Sequence, residues 1–243
     1  MLNEEAAFLK AIALQPGDDN VRLVYADWLT ENGDPDRGEL IRLQCSLERG
    51  IDWRDSATAE GERLEEIRAR EQELIENMLA PREAGEEPGV REFTTTPEIA
   101  AILAKETQRI TFKRGMIDKL NLNTTRITKL PPNLYVGGNL DLSIIGLWGS
   151  NITELPPDLH VGGNLYLVNT AITELPPDLH VGGSLNLVRT NFTAETASRI
   201  LDMPNLSREA KITGLESAGF PALAAEARRN ARLDDGPDTP SRQ

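Results

Sequence analysis

The two histidines of this chain, His160 and His180, stand 20 residues apart in nearly identical stretches, and Tyr135 holds the same place in a third. Two imidazoles on neighbouring copies of a repeat are a possible start of a metal site. Zinc asks for three or four ligands of matching position, however, and no third one accompanies this pair, so a surface stack is expected. Asp34, Asp36 and Glu39 crowd three carboxylates together, yet their spacing departs from the twelve-residue calcium loop, and Asp34 before Pro35 suits a helix N-cap. Asp27, beside Trp28, has no histidine or second carboxylate placed to work with it. A pairing with Arg22 or Arg42 is expected instead, with Tyr25 and Trp28 filling a small helical core. Cys45 is the one cysteine; a nucleophilic thiol needs a lowered pKa, which acidic surroundings oppose, so it is read as a core or half-buried residue. There is no GxSxG, GxxxxGK, GxGxxG or HExxH motif. No catalytic, cofactor or metal residues are expected, and the chain is not expected to be an enzyme.

What positions those residues is a repeat. ITELPPDLHVGGNLYLVNTA from Ile152 recurs as ITELPPDLHVGGSLNLVRTN from Ile172; ITKLPPNLYVGGNLDL starts at Ile127, and LNLNTTRI from Leu120 is a partial earlier copy. A fixed period in the twenties reads as a solenoid whose copies bury one another's apolar edges. Within one copy, Leu165 and Leu167 alternate inward from a short strand, and Ile172, Leu175, Leu179 and Val181 meet the same core. Thr125, Thr170 and Thr190 recur at one place, where a hydroxyl is expected to bond the backbone of the next copy. Gly-Gly at 137–138, 162–163 and 182–183 is expected to permit a sharp corner at positive φ. One copy is five residues longer than the others, its extra length falling in the apolar segment IIGLWG from Ile144, with Trp148 near the tip.

Ahead of the repeats, apolar residues recur at helical spacing in three segments. Ala6, Phe8, Leu9 and Ile12 mark the first, stopped by Pro16-Gly17; Val21, Val24, Tyr25, Trp28 and Leu29 mark the second, with Gly33 suited to a left-handed cap. Asp34-Pro35 opens the third, and a charged helix is expected over 56–80. Residues 97–107 suggest one more helix. Past Asn191 the repeat fails and TAETASRILDM and FPALAAEARR read as closing helices.

Phe8 to Gly50, FLKAIALQPGDDNVRLVYADWLTENGDPDRGELIRLQCSLERG, closely resembles a bacterial N-terminal repeat-companion domain, and Leu165-x-Leu167-x-x-Thr170-x-Ile172-x-x-Leu175-Pro176 resembles the short, 20-residue leucine-rich repeat. That resemblance implies a layout and no chemistry. The fold class expected is therefore α+β: a helical repeat-companion domain at 1–80, a linker at 81–92, a leucine-rich-repeat solenoid with a strand-like entry at 93–192, a helical C-terminal cap at 193–233 and a disordered tail at 234–243.

Charge and composition narrow the partners. The net charge is −13, and residues 1–90 hold 22 Asp/Glu against 10 Lys/Arg, leaving 17 against 16 for the remainder. Such acidity repels phosphate backbones and anionic membrane surfaces, so neither nucleic acid nor membrane is expected. A single cysteine, an acidic N-terminus without a basic leader and no long apolar run together suggest the cytoplasm. The function expected is a protein–protein interaction module, a monomer, presenting the concave face of the solenoid. Asp141, Ser143, Trp148, Asn164, Tyr166, Val168, Asn186, Val188 and Arg189 are the residues expected to bind the partner. Two alternatives stand beside it. One is an effector of the kind that joins 20-residue leucine-rich repeats to a ubiquitin ligase, disfavoured because no cysteine follows Cys45; the other is a self-associating structural protein using an exposed sheet edge.

Overall fold

The second helix begins where Asp18, in extended conformation, accepts a hydrogen bond from the Asn20 N–H at 2.8 Å, and it ends on Gly33, whose φ of 94° no other residue type adopts readily. The N–H of Asp34 then closes back on the Leu29 carbonyl at 2.9 Å, the 6→1 bond that completes this kind of helix end. Asp34 in turn accepts from the Arg37 N–H, and Pro35 is the first residue of the next helix. The computed structural model describes residues 2–48, 59–79, 102–103, 106–114, 116–123, 125, 127–132, 134–144 and 152–234. It divides into two compact units, Met1–Lys119 and Leu120–Gln243.

The first unit contains α1 (Leu2–Leu14), α2 (Asp19–Glu31), α3 (Pro35–Glu48), α4 (Ala59–Leu79), a 3₁₀ turn at Thr107–Arg109, β1 (Ile110–Lys113) and most of β2 (Met116–Asn121). Its core is aliphatic: Ile12, Ala26, Leu29, Leu40, Ile41 and Leu74 are at most 1% exposed. Gly38 lies inside α3, where glycine costs about 1 kcal/mol against alanine. The reason is proximity to α2, since a Cβ there would sit 2.6 Å from the Ala26 carbonyl oxygen. A buried polar knot ties three helices: Arg37 donates to Glu5 at 3.1 Å and to the Tyr25 hydroxyl at 2.6 Å, and Tyr25 donates to Glu5 at 2.6 Å. Phe8 and Trp28 pack beside Tyr25.

The second unit holds the end of β2, then β3 (Tyr135–Val136), β4 (Leu140–Asp141), β5 (His160–Val161), β6 (Leu165–Tyr166), β7 (His180–Val181), β8 (Leu185–Asn186), and helices α5 (Ala194–Asp202), α6 (Arg208–Ser217) and α7 (Pro221–Asp234). The strands form two sheets, ordered β1-β2-β4-β6-β8 and β3-β5-β7. From β2 onward pairing is parallel, Leu120↔Leu140↔Leu165↔Leu185 in one ladder and Tyr135↔His160↔His180 in the other. Between the ladders the copies share one dry interior: Leu122, Leu142, Leu167, Leu187, Ile152, Ile172, Leu159 and Leu179 are all 0% exposed. Burying each such side chain is worth roughly 1.5–3 kcal/mol. This is why strands of two residues persist.

These findings correct the expected class. An α+β fold built around a leucine-rich-repeat solenoid is not shown; the seven described helices and the sheets with parallel strands make the fold α/β. Helices gathered at the ends of the sequence pointed to segregated layers. Each copy instead returns to start a new strand parallel to the last, and only a crossover connection can do that. The copies are not uniform either, since successive strands of the larger sheet are offset by 20, 25 and 20 residues.

Two local expectations also change. Among the described glycines only Gly33 and Gly219 have positive φ, so the Gly-Gly corners serve another purpose. A Cβ on Gly162 would lie 2.3 Å from the Gly137 carbonyl oxygen, and one on Gly182 would lie 2.3 Å from that of Gly162. The corners are glycine because backbones of adjacent copies touch there. The recurrent threonines, for their part, bond within their own copy: Thr125, Thr170 and Thr190 donate to the carbonyls of Leu122, Leu167 and Leu187 at 2.5, 2.8 and 2.6 Å. The proposed linker at 81–92 and the tail beyond Asp234 lie outside the described residues, as does all but the last part of the 93–109 stretch.

Candidate functional site

With Leu120, Leu140, Leu165 and Leu185 pointing into the interior, the next residue of each strand must point out. Register therefore lines up Asn121, Asp141, Tyr166 and Asn186 as one row across β2, β4, β6 and β8, and all four are half-buried. Two positions further along, Asn123 and Val168 are half-buried and Val188 is 37% exposed, while Arg189 is exposed at a φ of 58°. Ser143 in that second row is only 6% exposed. It leaves the set of residues able to meet a partner. Trp148 lies outside the described residues.

Much of the polarity in these rows is committed to the fold. Asn121, Asp141 and Asn186 each accept the N–H of the residue two ahead, at 3.1, 3.0 and 3.1 Å, so their carbonyl or carboxylate oxygens satisfy strand ends that no ladder reaches. Asp141 also accepts from the Asn123 amide at 3.0 Å. Asn139 and Asn164 work one position before the strands: Asn139 accepts from the Asn164 N–H at 2.9 Å, and Asn164 accepts from the Ser184 N–H at 2.8 Å. Asn164 further donates to the Tyr166 hydroxyl at 3.0 Å, leaving that hydroxyl its own proton to give. What is left for a partner is concentrated on β6 and β8: the Tyr166 ring and hydroxyl, the Asn186 amide, Val168, Val188 and the Arg189 guanidinium. The sequence held a sign of the structural role. Asn139 and Asn164, with Ser184, stand at one position between an unvarying Gly-Gly and an unvarying leucine, and the two asparagines brace each copy on the next.

Beyond β8 the sheet does not end in open hydrogen-bonding groups. The N–H groups of Leu185 and Leu187, which would face a further strand, donate to the hydroxyls of Thr213 and Ser217 on α6, both at 2.9 Å. On the other ladder, β7 meets the chain before α6: Val181 N–H reaches Asn205 O at 3.4 Å and Ser207 N–H reaches Val181 O at 2.9 Å. Gly214 lets α6 approach, since a Cβ there would lie 2.9 Å from Leu185 Cδ2. Helix α6 itself is capped by Ser207, which accepts from the Ala210 N–H.

The residues weighed for chemistry fall elsewhere. His160 and His180 stack with ring centroids 4.0 Å apart and planes 11° from parallel, and Tyr135 lies on His160 at 4.7 Å. Lone pairs of parallel rings do not converge on one ion, and among the described residues no three His, Cys, Asp or Glu side chains group to hold one. Burial, then the neighbouring His180, holds His160 down at about 3; burial alone lowers His180. Cys45 is buried, and burial, followed by the Asp19 carboxylate, pushes its thiol up to about 11. Asp27 pairs with Arg42 at 2.7 Å. Arg114, in the turn after β1, reaches Glu48 at 3.0 Å and Asp19 at 3.5 Å, and these contacts raise its already high pKa. None of these charges stands beside a second group poised to take its proton. Among the described residues no helix is long and apolar enough to cross a membrane. Comparison of the chain with known proteins found no matching family model, no matching curated protein and no matching solved structure.

Proposed function

We propose that this chain is a non-enzymatic protein-binding module whose partner docks on the outward face of β6 and β8. The observation that carries the reading is the register of the larger sheet, which sets Tyr166 beside Asn186 and follows them with exposed Val188 and Arg189. A tyrosine ring and an arginine guanidinium are among the groups that most often anchor protein interfaces. Support for the absence of enzymatic chemistry comes from the inventory above: one inert thiol, two imidazoles facing each other and carboxylates paired with arginines. The ubiquitin-ligase alternative gains no support from Cys45, which is buried and whose thiol stays protonated near neutral pH. Self-association through an open edge is disfavoured by the hydroxyls of α6 that occupy the β8 edge. The reading includes a repeat-companion role for the first unit, a monomeric state, no nucleic-acid or membrane partner and a cytoplasmic location.

The test is affinity capture with the whole chain and with a Tyr166→Ala, Arg189→Ala double variant, both first shown to be folded by circular dichroism. Loss of a specific partner from the variant, by tenfold or more in dissociation constant, is the expected outcome. Equal recovery of the same partner by both proteins sinks the proposal.

A further inference from the structure

The imidazole column has a consequence that is independent of the β6–β8 face. His160 and His180 are the only histidines in the chain, and the parallel register of β3, β5 and β7 forces them into one stack with Tyr135. The stack holds as long as its rings are uncharged. Two imidazolium ions at 4.0 Å would repel each other, and a single one at His160 would lose solvation by a margin that outweighs the attraction of the Tyr135 face.

Among the described residues no carboxylate pairs with either ring. The groups facing His160 are Tyr135 from β3 and His180 from β7; His180 faces His160 and, in the segment that pairs with β7, stands in register with Asn205, which does not titrate. The nearest carboxylates along the chain, Asp158 and Asp178, precede each histidine by two residues. One oxygen of Asp178 accepts from the Asp158 N–H at 3.0 Å and the other is buried without a hydrogen-bond partner, yet neither aspartate pairs with either ring, whose proton affinity is lowered by burial and, for His160, by His180. The backbone bonds that close this ladder begin at the same residues: His160 N–H donates to Leu134 O and His180 N–H to Leu159 O, each at 3.0 Å.

We propose that the Tyr135–His160–His180 column is an acid-responsive latch, which keeps the three-stranded ladder closed while both imidazoles are neutral and releases it when either takes a proton. The sign follows from linkage. Both rings bind protons less readily in the folded chain than in an open one, so the contribution is full above the ordinary histidine pKa near 6.5. It declines as pH falls below that value and is gone near 3, where His160 itself titrates in the folded state. Carboxylate-driven acid unfolding falls in a lower window, about pH 4.5 and below, so the two are separable.

Amide hydrogen exchange on the full chain, corrected for intrinsic rates, tests this between pH 7.5 and 5.0, alongside NMR of the imidazole carbons. The His160 and His180 amides are expected to lose protection by roughly tenfold, a discounted value for rings that are partly exposed. The Leu165 and Leu167 amides of the larger sheet should keep theirs. A His160→Tyr, His180→Tyr variant, which repeats the residue already used at 135, should abolish the pH-dependent loss. If that variant does not fold, His180→Gln, which removes the like charge from beside His160, should reduce the loss. The imidazole signals of the wild type must then show no titration near pH 6.5 in the closed state. Ordinary titration of both rings with unchanged protection, or the same loss in wild type and variant, overturns the latch.

Discussion

At the scale of single residues, the buried ion knot of the first unit makes the sharpest case. The side chains of Arg37 and Glu5 are 2% and 11% exposed, and burial pushes the Tyr25 phenol well above its usual range, the nearby carboxylate adding to the Arg37-opposed effect. Truncating one partner strands the others without water. Arg37→Ala is therefore expected to cost about 3–5 kcal/mol, read from urea unfolding, whereas replacing both Arg37 and Glu5 with methionine should cost far less. Equal losses in the two variants would mean that packing, not charge pairing, explains the site. The Glu5–Arg37 separation of 32 positions hid this contact from any reading by spacing. Asp27, by contrast, found Arg42, one of the two cations its place on the helix suggested.

At the scale of elements, the Gly-Gly corners carry the copies. A methyl group at Gly162 or Gly182 meets a backbone oxygen that cannot swing aside, so Gly162→Ala and Gly182→Ala should each destabilise by about 1–3 kcal/mol. Gly17, with nothing within 4 Å of its would-be Cβ and no positive φ, should tolerate alanine to within roughly 0.5 kcal/mol. Thermal melts of the three variants check the contrast; equal melting temperatures would remove the close-contact explanation. The presence of glycine was plain in the repeat, but its purpose was not. Positive φ and close approach select the same residue, and only coordinates tell them apart.

At the scale of the whole molecule, the end of the larger sheet is closed by side chains of α6. Thr213 and Ser217 occupy the Leu185 and Leu187 N–H groups, so Thr213→Val with Ser217→Val leaves two donors facing apolar methyl groups. That variant should unfold more easily by about 2–5 kcal/mol, from one unsatisfied buried donor at each position, and should self-associate in sedimentation velocity while the wild type does not. A variant that is as stable and as monodisperse as the wild type would show that α6 guards nothing. In sequence these two hydroxyls are ordinary helix residues, 28 and 30 positions from their partners.

The order of the residues determined the copies, the helix punctuation by Asp18, Gly33 and Asp34-Pro35, and the alternation that buries Leu165 and Leu167, because each depends on neighbours within a turn or two of chain. It also set the row of Asn121, Asp141, Tyr166 and Asn186, since a repeat fixes its own register. Tertiary structure alone decided the α/β class, the withdrawal of Ser143 from the surface and the use of Asp141, Asn164 and Asn186 as braces. The physical reason is the same in each case. Whether a polar side chain is free or spent depends on which backbone donors the fold leaves without a partner, and that is a property of chains brought together in space.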